Sequence, residues 1–289
     1  MKKSVRILMS ALCITAICGS MAALGACGNK KTGVVVSGST SVEAIMTPLA
    51  GEYEKKHDVR ININANSSGA GITDTIEGRN EIGMSSRALK AEELEKGIEG
   101  KQLCIDGIVL VVSKDCAINE VTNDEIFELF VNASPIRQGD AAITVAVGRE
   151  TGSGTRDGFD EKIKDAQGKA IAKNYQYKNA QQLGGTGLVI NAIESDPNNR
   201  TVGYVSMGSY LKNTDKLKAL KFKAAGADDY VEPNESTVLD GTYELQRPFV
   251  LLTKKDKSGM SEAAKAFYDW LFGAEAEKLI RESGYVVKK

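Results

Sequence analysis

Four stretches of the chain set small hydroxyl side chains against glycine or arginine: Ser37-Gly38-Ser39-Thr40-Ser41, Ser67-Ser68-Gly69-Ala70-Gly71, Ser85-Ser86-Arg87 and Gly152-Ser153-Gly154-Thr155-Arg156. Arg149 stands just before the last of them. Each stretch follows a strand-like apolar run and leads toward a helix-like one. A helix start presents unpaired backbone N–H groups and about half a positive charge. Serine and threonine add short, steerable O–H donors, and glycine lets the backbone close on a ligand. Taken singly, each junction reads first as a helix cap. Four in one chain, two with an adjacent arginine, point to an oxyanion site.

Such junctions must be held by alternating strands and helices, and the apolar periodicity supplies both. Val59, Ile61, Ile63 and Ala65 alternate as in a half-buried strand. Val42, Ile45, Met46, Leu49 and Tyr53 recur with helical spacing, and Pro48 among them predicts a kink. The run from Asp106 to Val112 is almost continuously apolar, as in a strand covered on both faces. Further strands are predicted over the stretches ending at Ser85, Val147 and Met207, and through Pro248. Further helices follow Thr122, Gly185 and Ser261. This alternation predicts an α/β fold with mainly parallel sheets, in which ligands lie beyond the carboxyl ends of the strands.

Composition fits a globular chain, with 42% hydrophobic and 26% charged residues. Residues 1–26 carry Lys2, Lys3 and Arg6, then an apolar stretch ending in Leu24-Gly25-Ala26, the pattern of a secretory signal. Without those three basic residues the chain has 34 basic and 38 acidic side chains, a net charge of −4. That balance gives no global attraction to nucleic acid, so a small anion must be held by local design. Leu24-Gly25-Ala26-Cys27 resembles a lipoprotein box, which implies cleavage before Cys27, lipidation of its thiol and a short tether over residues 27–32. Cys104 and Cys116 flank the strand-like Ile105–Val112 run. Eight extended residues span ~26 Å, whereas bridged Cα atoms lie about 5.5 Å apart, so two free thiols are expected.

An enzyme acting on phosphate esters finds little to work with. His57 is the only histidine and lies in a polar turn, so imidazole acid–base chemistry is not expected. The sequence has neither a metal-ligand constellation nor a P-loop. Neither an enzyme nor a cofactor or metal site is expected.

The stretches "SGSTSVEAIMTPLAGEY", "SSGAGI", "EIGMSSRAL", "ITVAVGRETGSGTRDGFDE", "GTGLVINAIESDPN", "VGYVSMGSYL" and "YELQRPF" stand in order along the chain. Together they resemble the phosphate-binding lipoproteins of high-affinity phosphate ABC transporters, the PstS family in its Gram-positive form. The resemblance implies a two-lobed α/β fold of the periplasmic-binding-protein type II class, with a ligand cleft between lobes joined by two crossover strands. The first lobe is expected over residues 33–108 and 243–289, the second over 109–242, with the chain crossing through "DGIVLVV" and back through "YELQRPFVLLT". It also implies a lipid-anchored, extracellular, monomeric protein that passes inorganic phosphate to transmembrane permease subunits. Another tetrahedral oxyanion such as sulfate, or a sensing role, is the alternative.

By the same resemblance, Ser39, Thr40, Ser41, Ser68, Ser86, Arg87, Arg149, Ser153, Gly154 and Thr155 are the phosphate-binding residues, with Arg149 the charge partner. Enterobacterial relatives have an aspartate at the Ser86 position that accepts the proton of monohydrogen phosphate. Its absence leads us to expect a carboxylate from another junction, with Glu43, in the first helical turn after Ser41, favoured over Glu150 and Asp157. Arg87 has an equal claim as a structural ion-pair residue. The stretch "LFVNASPIRQGDAAI" is expected to be a shortened surface loop.

Overall fold

The computed structural model describes residues 32–178 and 180–287. The signal-like segment, Cys27 and all of the tether except Thr32 lie outside them. Strand β1 (Thr32–Ser39) leads into helix α1 (Thr40–Lys56), β2 (Val59–Asn66) into α2 (Ser68–Glu77), and β3 (Ile82–Ser85) into the short α3 (Ala91–Leu94). A 16-residue strand, β4 (Ile98–Ser113), follows. Next come β5 (Glu120–Thr122), α4 (Asn123–Phe127), a π-helical turn over Glu128–Asn132, β6 (Ile136–Gln138) and β7 (Ala141–Ile143). Then β8 (Val145–Arg149) enters α5 (Gly154–Lys162), β9 (Gln181–Leu183) enters α6 (Thr186–Glu194), and β10 (Thr201–Ser206) enters α7 (Met207–Leu211). The chain finishes with β11 (Leu217–Ala219), β12 (Lys221–Lys223), α8 (Glu235–Asp240), β13 (Gln246–Lys254), α9 (Glu262–Leu271) and α10 (Ala274–Glu282).

Strand β4 is the spine. The main sheet runs β2-β1-β3-β13-β4-β10-β8-β9, with β11 also on β4. Over Ile98 to Gly107, β4 pairs antiparallel with β13, and over Ile108 to Val112 with β10. Away from these strands the pairing is parallel, β1 with β3 on one side and β10 with β8 and β9 with β8 on the other. The two larger apolar cores follow the same division. Leu103 and Cys104 of β4 pack with Val36, Ile45, Met84 and Phe249. Ile108 to Val112 pack with Val147, Phe159, Val205 and Leu245. The fold is thus two-lobed, and β4 and β13 are the antiparallel strands that cross between the lobes.

The crossing carries a buried ion pair. Asp106 and Arg247 stand opposite each other in the β4–β13 register. Arg247 donates from Nη2 and Nε to Asp106 Oδ2 at 3.0 and 3.3 Å, and Asp106 Oδ1 accepts the Met207 N–H at 2.9 Å. Burial pushes the Asp106 carboxyl up to about 7 against the pull of the Arg247 guanidinium. Met207 begins α7, so the pair also ties both crossover strands to a helix of the second lobe.

Three local features differ from the sequence-based expectations. Helix α1 is continuous through Pro48, which lies on its exposed face. Proline has no N–H for the Ala44 carbonyl four residues earlier, and the Lys212 ammonium donates to that oxygen at 2.5 Å instead. The stretch expected as a surface loop is the π-helical turn and the β6–β7 hairpin, pinned by buried Phe130, Ile136 and Ile143. The strand expected to start near Ile105 starts at Ile98, because its first half is clamped by β13 despite its polar, glycine-containing sequence. Cys104 and Cys116 are buried free thiols, as the strand-length argument expects.

Arg247→Met removes the cation from a buried carboxylate and is expected to destabilise the protein by about 3–5 kcal/mol. Adding Asp106→Leu should recover much of that loss. Urea unfolding of the single and double variants checks this; equal stability of wild type and the single variant would contradict it.

Candidate functional site

Three junctions of the first lobe converge on one cluster of buried hydroxyls. Ser39 caps α1, its Oγ accepting the Ser41 and Val42 N–H groups at 3.2 and 3.4 Å. Gly38 makes the approach possible: its φ is +135°, and a Cβ there would lie 2.2 Å from the Met84 carbonyl oxygen. Ser67 caps α2, which places Ser68 as its first residue. Ser86 follows the end of β3. Ser39 Oγ donates to Ser86 Oγ at 3.0 Å, and Ser68 Oγ lies 3.2 Å from the same atom. The Ser86 N–H donates to Ser68 Oγ at 3.0 Å. Ser39, Ser41, Ser68 and Ser86 are all buried.

The second lobe closes on this cluster. Ser153 caps α5 by accepting the Arg156 N–H at 3.4 Å. Thr155 Oγ1 is hydrogen-bonded to Ser41 Oγ at 2.9 Å, and the Gly69 N–H donates to the Gly152 carbonyl at 3.0 Å. A Cβ on Gly154 would lie 2.5 Å from Ser68 Oγ and 2.7 Å from Ser86 Oγ, so only glycine lets α5 come this close. Thr40 Oγ1 meets Thr186 Oγ1, at the start of α6, at 3.3 Å. Four helix starts, those of α1, α2, α5 and α6, and the turn at Ser86 therefore face the cluster or border it.

Arg149 brings the charge. It ends β8 and is 2% exposed. Its Nε and Nη2 each donate to Glu150 at 2.9 Å, and its Nη1 donates to Thr186 Oγ1 at 3.2 Å. Its backbone N–H donates to the Tyr204 hydroxyl at 3.1 Å. Tyr204 stacks on Phe159, and Phe130 packs against both. Beneath the loop, Arg156 donates to the Arg149 carbonyl at 3.4 Å and to Asp160 at 3.3 Å, while the Tyr177 hydroxyl donates to the other Asp160 oxygen. The loop that presents Ser153, Gly154 and Thr155 is thus braced on both sides. A buried guanidinium among steerable O–H and helix N–H donors has the chemistry to hold an anion. The one histidine stacks on Tyr53 at the far end of α1, ~24 Å of helix away from Ser39.

Of the residues expected at the site, Ser39, Thr40, Ser41, Ser68, Ser86, Arg149, Ser153, Gly154 and Thr155 come together. Arg87 turns away from the cluster. Its Nη2 and Nη1 donate to the two Glu93 oxygens at 2.7 and 2.8 Å, and its Nε lies 2.8 Å from Asp157 Oδ2. The structure therefore gives Arg87 the ion-pair role, linking Glu93 of the first lobe to Asp157 on α5 of the second. Glu43 is half-buried; burial raises its pKa against a smaller pull from the Lys212 ammonium at the end of α7. Glu150 and Asp157 are taken up by Arg149 and Arg87. Thr186 was missed by the sequence reading. Its signal was present in Gly184-Gly185-Thr186-Gly187, a fifth glycine-rich helix start.

A family model described as the PBP superfamily domain matches residues 25–275. A phosphate ABC transporter substrate-binding protein from Clostridium perfringens, solved with bound phosphate, is 31% identical, with a TM-score of 0.76 over 89% of this chain and 100% of that one. The phosphate-binding protein PstS of Staphylococcus epidermidis is 29% identical over 94% of this chain and 87% of its own. The chain belongs to the PBP superfamily, in its PstS family. A phosphate transport receptor from Vibrio cholerae, 26% identical, shares the PstS fold with a TM-score of 0.64 over 88% of this chain and 100% of that one. The two lobes and antiparallel crossover strands are those of a type II periplasmic-binding-protein fold.

Because the Glu93–Arg87–Asp157 group is largely shielded from water, Arg87→Gln should lower stability by about 1–3 kcal/mol. Urea unfolding with an unchanged slope is the expected result; a loss below about 0.5 kcal/mol, the scale of an ordinary surface change, would show that the triad contributes nothing.

Proposed function

We propose that this protein binds inorganic phosphate between its lobes, at the outer face of the cell membrane, and delivers it to the permease of a phosphate ABC transporter. The observation that carries this reading is the convergence of Ser39, Ser41, Ser68, Ser86 and Thr155 beside a buried, braced Arg149. The bound phosphate of the Clostridium perfringens relative and the names of the PstS relatives support the choice of anion. In this reading Ser39, Thr40, Ser41 and Ser68 donate from the first lobe, where Ser86 also meets the anion. Ser153, Gly154 and Thr155 donate from the second, and Arg149 neutralises charge. The lobes are residues 33–108 with 243–289, and 109–242. A lipid on Cys27 anchors the chain, and the protein acts as a monomer without catalysis.

The protonated oxygen of monohydrogen phosphate needs an acceptor, and sulfate has no proton to offer it. Glu43 faces Lys212, and Glu150 and Asp157 serve arginines. We assign the acceptor role to Ser86 Oγ, which stands between Ser39 and Ser68 and can accept as well as donate. A hydroxyl is a weaker acceptor than a carboxylate, so discrimination against sulfate should be milder than an aspartate would give.

Calorimetric titration with phosphate tests the reading. Arg149→Ala should weaken binding by about 2–4 kcal/mol, because hydrogen bonds to charged groups contribute roughly 1.5–3 kcal/mol each. Unchanged affinity in the variant would remove Arg149 from the site, and no binding by the wild type would end the phosphate reading. Intact-mass spectrometry of membrane-extracted protein should show a chain starting at Cys27 with added diacylglycerol. A lipid-free chain, or one retaining residues 1–26, would contradict the anchor.

A further inference from the structure

We propose that Thr186 is a positioning residue for phosphate: it fixes the Arg149 guanidinium and turns the Thr40 hydroxyl toward the anion. This rests on the phosphate reading above and assigns a role to a residue outside the four junctions that suggested it.

The start of α6 is unusual. Gly185, its N-cap, has a φ of +137° and no side chain to cap the helix. The Thr186 N–H instead donates to Thr40 Oγ1 at 3.4 Å, so a side chain of the first lobe caps a helix of the second. Thr186 Oγ1 also lies 3.3 Å from Thr40 Oγ1 and accepts Arg149 Nη1–H at 3.2 Å. Thr186 is buried, so these are not contacts water can replace freely.

One assignment of donors and acceptors leaves a proton free for the anion. A guanidinium has no acceptor, so Arg149 must donate to Thr186. Thr186 has one hydroxyl proton, and Thr40 Oγ1 is its remaining neighbour. In the proposed arrangement Thr40 Oγ1 accepts both the N–H and the O–H of Thr186, which uses its two acceptor positions. Its own proton is left to donate elsewhere, at the start of α1 beside Ser39 and Ser41, where the anion is proposed to lie. Arg149 is set by the same contact. Glu150 takes one hydrogen from Nε and one from Nη2, and Thr186 takes one from Nη1. One hydrogen on each terminal nitrogen remains for the ligand, on a fork that can no longer rotate. Because Thr40 and Thr186 belong to opposite lobes, this ordering is complete only when the lobes are closed.

Thr186→Val keeps the shape and removes the hydroxyl; Thr186→Ser keeps the hydroxyl. Calorimetry and stopped-flow release with inorganic phosphate separate the possibilities. For Thr186→Val we expect binding to weaken about 10- to 100-fold, the range for one or two hydrogen bonds to a charged partner, with most of the change in the release rate. Thr186→Ser should restore binding to within about threefold of wild type. Thr40→Val should give a similar loss, and the Thr40→Val/Thr186→Val pair should lose much less than the product of the two, since both break one chain. A Thr186→Val protein that binds and releases phosphate like wild type would overturn the proposal. So would a Thr186→Ser protein as impaired as the valine variant, since steric fit would then be the cause. If Thr186→Val does not fold, Thr40→Val alone decides, and wild-type binding by that variant would also overturn it. A wild type that does not bind phosphate would defeat the underlying reading, an outcome distinct from wild-type binding with unaffected variants.

Discussion

Taking a guanidinium out of water costs several kcal/mol unless its N–H groups find acceptors. Arg149 is 2% exposed, and the second lobe is arranged around meeting that demand. Glu150 takes two of its hydrogens and Thr186 a third. The Tyr204 hydroxyl takes the backbone N–H, and Arg156 holds the carbonyl. Those braces in turn rest on the aromatic packing of Phe130, Phe159 and Tyr204, which is why the π-helical turn that carries Phe130 matters to the site. The arginine retains hydrogens that its own lobe does not satisfy. In the proposed reading an anion satisfies them while accepting hydroxyls from the first lobe.

That sharing explains why the lobes must be both separate and tightly registered. Each has its own apolar core, so each can move as a body. Among the described residues the strands passing between the cores are β4 and β13, and their antiparallel pairing is pinned by the Asp106–Arg247 pair. Closure then brings hydroxyl to hydroxyl at Ser41–Thr155 and Thr40–Thr186, glycine against serine at Gly154, and carboxylate to arginine at Asp157–Arg87. A hinge with two strands and a polar, ligand-shared interface is suited to reversible closure, since apolar burial between the lobes would hold them shut without ligand.

Much of this was legible in the sequence. The junctions at Ser39, Ser68, Ser86 and Ser153 were readable because helix capping and anion binding draw on the same short hydroxyl side chains and the same glycines. The class of fold followed from strands alternating with helices. What was hidden depended on partners far away in the chain. The first half of β4 has a polar sequence and becomes a strand only through β13. Arg87 reads like a ligand beside Ser86 until Glu93 and Asp157 are placed around it. Glu43 reads like an acceptor at a helix start, and the Lys212 ammonium that acts on it stands 169 positions later in the chain. Thr186 sat in a motif as glycine-rich as the others, but no neighbouring arginine marked it; its arginine is Arg149, from another strand.

The central claim is that one anion engages the helix starts of both lobes at once. Amide hydrogen exchange at residue resolution, with and without saturating phosphate, tests it most directly. The account predicts that phosphate slows exchange together at the starts of α1, α2 and α5, from Ser41, Ser68 and Thr155 onward. Protection confined to one lobe, or exchange at all three starts unchanged by saturating phosphate, would contradict it.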